Sequence, residues 1–410
     1  MIFEDKRISE KIIWYLTVVL ISSFYIFDTS KWGSIILIII TISILAISLI
    51  QNNGIIKFSI KPFHLFILLF ALFCMFSSVW AIYPKDSFQK GITIIQILIC
   101  MTVIEMHYSK YSSIKQLIDA IMWAGFLVVF YAIIFYGLDT IKYIFVSQSR
   151  LSNSFANINS IAMIASVSLV IMVYDIFFVK KKKIYLLIFA MPSIIMIAAS
   201  GSRKALVLTI LGIVMIILFR YSNKNFFITL IRLILLSTIL LIIFRVILLL
   251  PIFSGINERM KGLIALITDN GVVDHSAWIR EQYIRVGINQ FINKPILGIG
   301  IGNSHFLTLQ AEGRSTYLHN NYVELLACGG IIGFTIYYYV YMYLLYNIFK
   351  LRKYKSDYTI LCIILIVLLL GMDYGSISYY SKITYFYFVV FFMEVQLLKK
   401  RRIQFVKNRF

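Results

Sequence analysis

Three basic side chains, far apart in the chain, have types suited to one job. Arg203 follows Ala198-Ala199-Ser200-Gly201-Ser202 at the end of an apolar run. Small residues there permit close approach of backbone or ligand. A guanidinium is a fork that matches phosphate oxygens two at a time, although an arginine at a membrane boundary also simply reaches lipid phosphate. Arg280 lies in a segment, 276–292, whose pattern predicts a helix. At 100° per residue it shares a stripe with Ala277, Ile284, Ile288 and Phe291. With Ile279, Tyr283 and Val286 opposite, that helix has no clean polar face and is expected to wedge between protein and membrane. Arg285 points roughly 140° away from Arg280. Either arginine has Glu281 as a plain ion-pair partner.

His319 and Asn320 precede an apolar helix predicted to start near Asn321. A helix N-terminus presents free amides and a positive dipole end, both favourable to anions. A neutral imidazole there can take a proton from a hydroxyl. Glu324, a turn further on, either orients that imidazole or caps the helix. His319 is the candidate catalytic base, and Arg203, Arg280, Arg285, Asn320 and Glu324 are the candidate substrate contacts. The acids Asp28, Asp86, Asp139, Asp269 and Asp274 form no Asp-x-Asp pair and no Cys/His cluster, so no metal and no cofactor is expected. Gly298, Gly300 and Gly302 lack the βαβ surroundings of a nucleotide loop; a turn with unusual backbone angles accounts for them. Cys74, Cys100, Cys328 and Cys362 sit in or beside apolar runs and are expected to pack as small apolar residues.

The elements that position these residues follow from composition. The 410-residue chain is 60% hydrophobic and 14% charged, which only lipid tolerates as a solvent. Its +21 charge is scattered through short connections and makes no nucleic-acid surface. Twelve apolar windows, 12–27, 33–50, 63–82, 91–107, 117–138, 158–179, 184–200, 205–219, 226–249, 321–349, 359–372 and 383–398, predict an all-α integral membrane protein. The first window is read as a signal anchor because another span follows at once. Nine helices fall in residues 1–250, a long loop with an amphipathic helix in 251–320, and the last spans with a basic tail in 321–410. Most Lys and Arg of the connections lie on one side, among them Lys180 to Lys183 and Lys399 to Arg402. The positive-inside bias therefore puts both termini in the cytoplasm. The turn at Arg203 and the 250–320 loop then share the outer face. Glu105, Asp119 and Asp175 fall near inner helix ends, where neighbouring lysines neutralise or solvate them. No internal repeat is visible, which weighs against an inverted-repeat transporter.

These features resemble the O-antigen ligase/polymerase superfamily of bacterial envelope glycosyltransferases. The likeness rests on Ser200-Gly201-Ser202-Arg203-Lys204, on Arg280 to Phe291 followed by Lys294-Pro295-Ile296-Leu297-Gly298-Ile299-Gly300, and on His319-Asn320 with Gly330 after nine intervening residues. It covers roughly residues 195–335. The resemblance implies a GT-C-like fold and a metal-independent, inverting transfer from a polyprenyl-pyrophosphate-linked oligosaccharide at the outer face of the bacterial cytoplasmic membrane. His319 would then be the base for the acceptor hydroxyl, and Arg203 and Arg280 would hold the pyrophosphate. Polymerisation of O-antigen, capsule or exopolysaccharide repeat units is the favoured expectation. The alternatives are ligation of the glycan to lipid A core and, from another class, a polysaccharide flippase. Membrane lipid, a chain-length regulator and a flippase are the expected partners.

Overall fold

The computed structural model describes all residues except 1, 28–30, 56–58, 112–113, 148, 153–155, 179–183, 222–237, 239–241, 243–244, 248, 269–273 and 408–410. Among the described residues the chain is all helical, without a strand. The helices are α1 (Ile2–Ile26), α2 (Lys31–Gln51), α3 (Pro62–Phe76), α4 (Pro84–Tyr111), α5 (Ile114–Tyr136), α6 (Leu138–Ser147), α7 (Ile158–Phe178), α8 (Leu186–Ser200), α9 (Arg203–Arg220), α10 (Ser254–Thr268), α11 (His275–Asn293), α12 (Ser304–Glu312), α13 (Asn321–Lys350), α14 (Thr359–Asp373) and α15 (Lys382–Lys407). Eleven of the twelve predicted spans fall on these helices; the segment 226–249 lies largely outside the described residues. Among the described residues seven helices, α1 to α5, α7 and α13, are long and apolar enough to cross a membrane, while α8 and α14 are apolar but only 15 residues each.

Helix α7 runs through the middle of the bundle. It is apolar on every side and packs against α1, α5, α8, α9 and α14, as expected of a helix buried all round. Small residues and hydroxyls join it to its neighbours. Gly125 of α5 faces Ser168, Gly212 of α9 faces Val170, and Thr209 donates to Ser166 at 2.8 Å. Such contacts hold helices together where apolar burial gives no net drive. All four cysteines are buried and unbridged. Near the end of the bundle where α2 meets α3, Lys61 forms an ion pair with Glu105, so the lysine does neutralise that acid.

Residues 251–320 hold α10, α11 and α12, with α11 matching the helix predicted over 276–292. Helix α6 was not foreseen. It buries Ile141 and Ile144 and exposes Leu138, Tyr143 and Val146, a pattern too short to stand out in the sequence.

The window 321–349 reads as one helix, but α13 is broken. Gly330 has φ 59° and ψ −166°, outside any helical conformation. A continuous helix would pair the amides of Ile331 and Ile332 with the carbonyls of Ala327 and Cys328. Instead Ile331 N donates to Pro295 O at 2.8 Å and Ile332 N to Ile296 O at 3.4 Å. The freed carbonyls accept from Ile299 N at 3.1 Å and Gly300 N at 2.9 Å. The segment 295–300 thus replaces two helical hydrogen bonds with four of its own. The amides of Ile331 and Ile332 and the carbonyls of Ala327 and Cys328 all find partners, as non-helical backbone away from water requires. The same segment is bound to the α3–α4 connection: Ile82 N donates to Ile299 O, Ser87 Oγ to Ile301 O and Ile301 N to Ser77 Oγ. Gly298, Gly300 and Gly302 all have positive φ, which is the turn chemistry expected of them.

Gly330→Ala should therefore be severe. Its Cβ would lie 2.2 Å from Ile296 O, in a backbone conformation reserved for glycine. A loss of about 3 kcal/mol or more is expected. Gly54, with φ 78° and nothing within 4 Å of a Cβ, is the control for backbone strain without a clash; Gly54→Ala should cost about 1–2 kcal/mol. Thermal unfolding of the two detergent-solubilised variants, compared with the parent, measures the difference.

Candidate functional site

The candidate residues meet at one end of the bundle, where α9, α11 and α13 begin and α14 ends. The turn from α8 to α9 is built from its small residues. Gly201 closes α8 with φ 62°, Ser200 Oγ accepts from Ser202 N at 3.1 Å, and Ser202 Oγ caps α9 by accepting from Ala205 N. Arg203 is consequently the first residue of α9. A Cβ on Gly201 would touch Arg150 at 3.3 Å, and Leu151 N donates to Ala199 O at 3.0 Å, so the chain after α6 lies against this turn.

Arg203 is not free. Its Nη2 lies 3.1 Å from Asp274 Oδ2, and its Nη1 donates to the carbonyl of Arg259. Arg259 in turn places Nε 3.3 Å from the same carboxylate oxygen and donates from Nη1 to Gly201 O at 2.7 Å. Asp274 is also the cap of α11, accepting from Ser276 N at 2.9 Å and Ala277 N at 3.3 Å. One carboxylate therefore joins α9, α10 and α11. Burial opposes its ionisation, but Arg203, Arg259 and the two amides outweigh burial and hold the carboxyl below its usual range.

Arg280 is half-buried on α11 and, among the described residues, makes no ion pair. Arg259 and Arg150 are close enough to repel it, and Tyr317 and Asp274 lie on the attractive side. Burial and those neighbouring cations together lower its proton affinity, though a guanidinium stays charged throughout. His319 precedes α13 in the left-handed region, φ 56°. Its ring is 4.2 Å from that of Tyr317 and parallel to Tyr283 at 6.1 Å. Among the described residues it makes ring contacts and no hydrogen bond. Burial, then Arg280, then Lys204, push its pKa from 6.5 down to about 4. The imidazole is therefore neutral at physiological pH and able to accept a proton.

Arg203, Arg280 and His319 are thus brought to one place. Arg285 is not: it is exposed and held by Glu281, with Nε at 3.0 Å from the carboxylate, on the side of α11 away from Arg280. Asn320 is a cap, its Oδ1 accepting from Tyr322 N at 3.0 Å and Val323 N at 3.2 Å. Glu324 is buried and accepts from Ser304 Oγ and from Leu318 N. It fixes the backbone beside His319 and does not touch the ring. Sequence reasoning missed Arg259 altogether and saw Asp274 only as one acid among several. The visible signal for Asp274 was its place just before a helical pattern, where Asp is a favoured cap; Arg259, in Asn257-Glu258-Arg259-Met260-Lys261, had none.

Among the described residues no group of His, Cys, Asp or Glu could hold a metal ion. The side chains that gather are cations: Arg150, Arg203, Arg259 and Arg280 lie around one shared carboxylate, Asp274, and Lys204 lies near Arg280 and the buried Asp373. Such a surplus suits a ligand with more than one negative charge.

No curated protein matches the chain. A family model described as O-Antigen ligase matches residues 188–338. That stretch begins inside α8, ends inside α13, and contains Arg203, Arg259, Asp274, Arg280 and His319. The match over the segment that builds the site is what supports the chain's place in the O-antigen ligase/polymerase superfamily.

Proposed function

We propose that this protein is a membrane glycosyltransferase that polymerises polyprenyl-pyrophosphate-linked oligosaccharide units at the outer face of the bacterial cytoplasmic membrane, by inverting transfer with His319 as base. The observation that carries the reading is the pairing of a half-buried Arg280 that has no carboxylate with a neutral His319 beside it. The outer side is inferred from charge: the basic connections, including 350–355 and 399–407, cluster at the end of the bundle away from the site.

The chemistry follows from the charges. The acceptor hydroxyl gives its proton to His319 as its oxygen bonds to the anomeric carbon from the face opposite the leaving group. The bond from that carbon to the diphosphate oxygen breaks, and its electron pair goes to the diphosphate. Fixed cations stabilise the charge that develops there without reorganising. Burial, and after it the cations Arg280 and Lys204, hold the basicity of His319 down. Neutralising them with a diphosphate strengthens the base, and charge growing on the leaving group strengthens it further.

Ligation to a lipid A core is the second reading, favoured by the description of the matching family. Both readings use the same donor half-site and differ in the acceptor. Comparing a lipid-linked repeat unit with a lipid A core as acceptor in a transfer assay separates them.

His319→Ala should abolish polymer in a host lacking its own copy, with single repeat units accumulating and protein levels unchanged; normal polymer would end the catalytic assignment. Arg280→Ala should lower transfer by about 100-fold or more, whereas Arg285→Ala should stay within about threefold because its exposed ion pair contributes little. The pH profile has a defined sign. Protonation removes the base, so kcat/KM should hold as pH falls from 7.5 to 5 and drop only near pH 4, the free-enzyme value for His319. The acid limb of kcat, which reports the donor-bound enzyme, should lie at higher pH. An acid limb of kcat/KM near 6.5 would contradict the charge environment described.

A further inference from the structure

Lys204 stands next to Arg203 but points elsewhere. Arg203 is turned to α10 and α11, where Asp274 and the Arg259 carbonyl take two of its five N–H donors. Lys204 reaches to the end of α14, where Nζ donates to Met372 O at 3.3 Å and Ser376 Oγ at 3.4 Å. An ammonium has three donors. These two acceptors are long and weak, and Ser376 Oγ itself donates to Met372 O at 2.7 Å. Among the described residues the third donor is unfilled and no carboxylate lies within ion-pair distance.

Burial and then Arg280 lower the affinity of Lys204 for its proton, to about 7, and Asp373 opposes them; an anion set beside the amine favours its charged form. Asp373, 1% exposed, is near enough to act on Lys204 electrostatically. Asp373 Oδ2 accepts from Tyr338 Oη at 2.8 Å and from Asn321 Nδ2 at 3.3 Å. Asn321 Oδ1 accepts from Ser378 N at 2.9 Å and Tyr379 N at 3.3 Å. This network fastens the α14–α15 connection to the start of α13, two residues from His319. It holds the lysine's partners and the imidazole in one frame. A Cβ on Gly375 would come within 3.0 Å of Nζ, so glycine leaves the ammonium its room. Arg280 and His319 both feel the charge of Lys204.

We propose that Lys204 is a direct ligand of the donor diphosphate, gripping it together with Arg280, while Arg203 chiefly maintains the Arg259–Asp274 junction. The division follows from ion pairing: Arg203 has a carboxylate at 3.1 Å, and Lys204 has none within ion-pair distance among the described residues. This rests on the reading that a diphosphate occupies the site, and it adds a contact that the arginines alone do not supply.

Binding of farnesyl diphosphate and farnesyl phosphate to the full-length protein in detergent tests it. The parent protein should prefer the diphosphate. Lys204→Met should weaken diphosphate binding by about tenfold, the effect of one lost charge-assisted contact, and affect the monophosphate less. Lys204→Arg should restore most of it, which a merely structural lysine would not predict. Lys204→Gln, which keeps a polar tip without charge, should behave as Lys204→Met and serves if the latter fails to fold. Diphosphate binding by the parent that is unchanged in Lys204→Met and Lys204→Gln overturns the assignment of the lysine alone. A parent protein that does not distinguish farnesyl diphosphate from farnesol overturns the diphosphate reading and the lysine with it.

Discussion

The exchange of backbone hydrogen bonds at Gly330 is the constraint from which the rest of the site follows. A helix interrupted at membrane depth must pass its unpaired amides and carbonyls to some other backbone. Here that backbone is the segment 295–300, which joins α11, carrying Arg280, to α12. The break therefore ties the arginine's helix to the helix that His319 precedes. It also places the α3–α4 connection underneath, through Ser77, Ile82 and Ser87. A smoothly continuous α13 would remove the four backbone hydrogen bonds that join it to 295–300, leaving that segment with only its contacts to the α3–α4 connection.

A second knot acts on charge. Asp274 is at once a helix cap and the carboxylate shared by Arg203 and Arg259. It joins three helices and neutralises part of a strongly positive site, and more carboxylates would weaken any hold on an anion. Three helix N-termini, those of α9, α11 and α13, are gathered at the same end, and their dipoles add to the positive potential. The C-terminus of α14 has the opposite polarity, and it is there that Lys204 is held. The site is thus organised by where helices begin and end, and the side chains follow that arrangement.

This explains what could be read from the residues alone. Spanning helices were legible because lipid requires long apolar runs, and the shared location of Arg203, Arg280 and His319 followed from counting crossings and placing lysines. The break in α13 was not legible: a Gly329-Gly330 pair is ordinary in a membrane helix, and only a partner segment far away in sequence makes it necessary. Arg285 looked as good a ligand as Arg280, since helical spacing separates their directions without saying which faces the protein. Arg259 sits among polar neighbours typical of a solvated turn, and its value comes entirely from Gly201 and Asp274, which the chain brings to it. Asn320 and Glu324 were identified as residues near the site, but backbone amides claim their oxygens, and amide demand is a property of local geometry that composition does not show.

His319 itself is held against two preferences. Its left-handed backbone costs about 1–3 kcal/mol for a residue with a side chain, and its surroundings oppose protonation. Neither serves packing, because the ring lies beside aromatic neighbours without a hydrogen bond to orient it. On the proposed reading, both suit a base that works only when its substrate is present. The strained backbone is fixed from each side, by Leu318 N on Glu324 and by the Asn320 cap, so the imidazole is aimed by peptide geometry. Burial, then Arg280, then Lys204 hold its proton affinity down. On the proposed reading, a diphosphate set against those cations offsets their part of the effect. An imidazole tied to a carboxylate would be basic at all times and far less responsive to whether the donor was bound. On the proposed reading, deprotonation of an acceptor would follow occupancy by a donor.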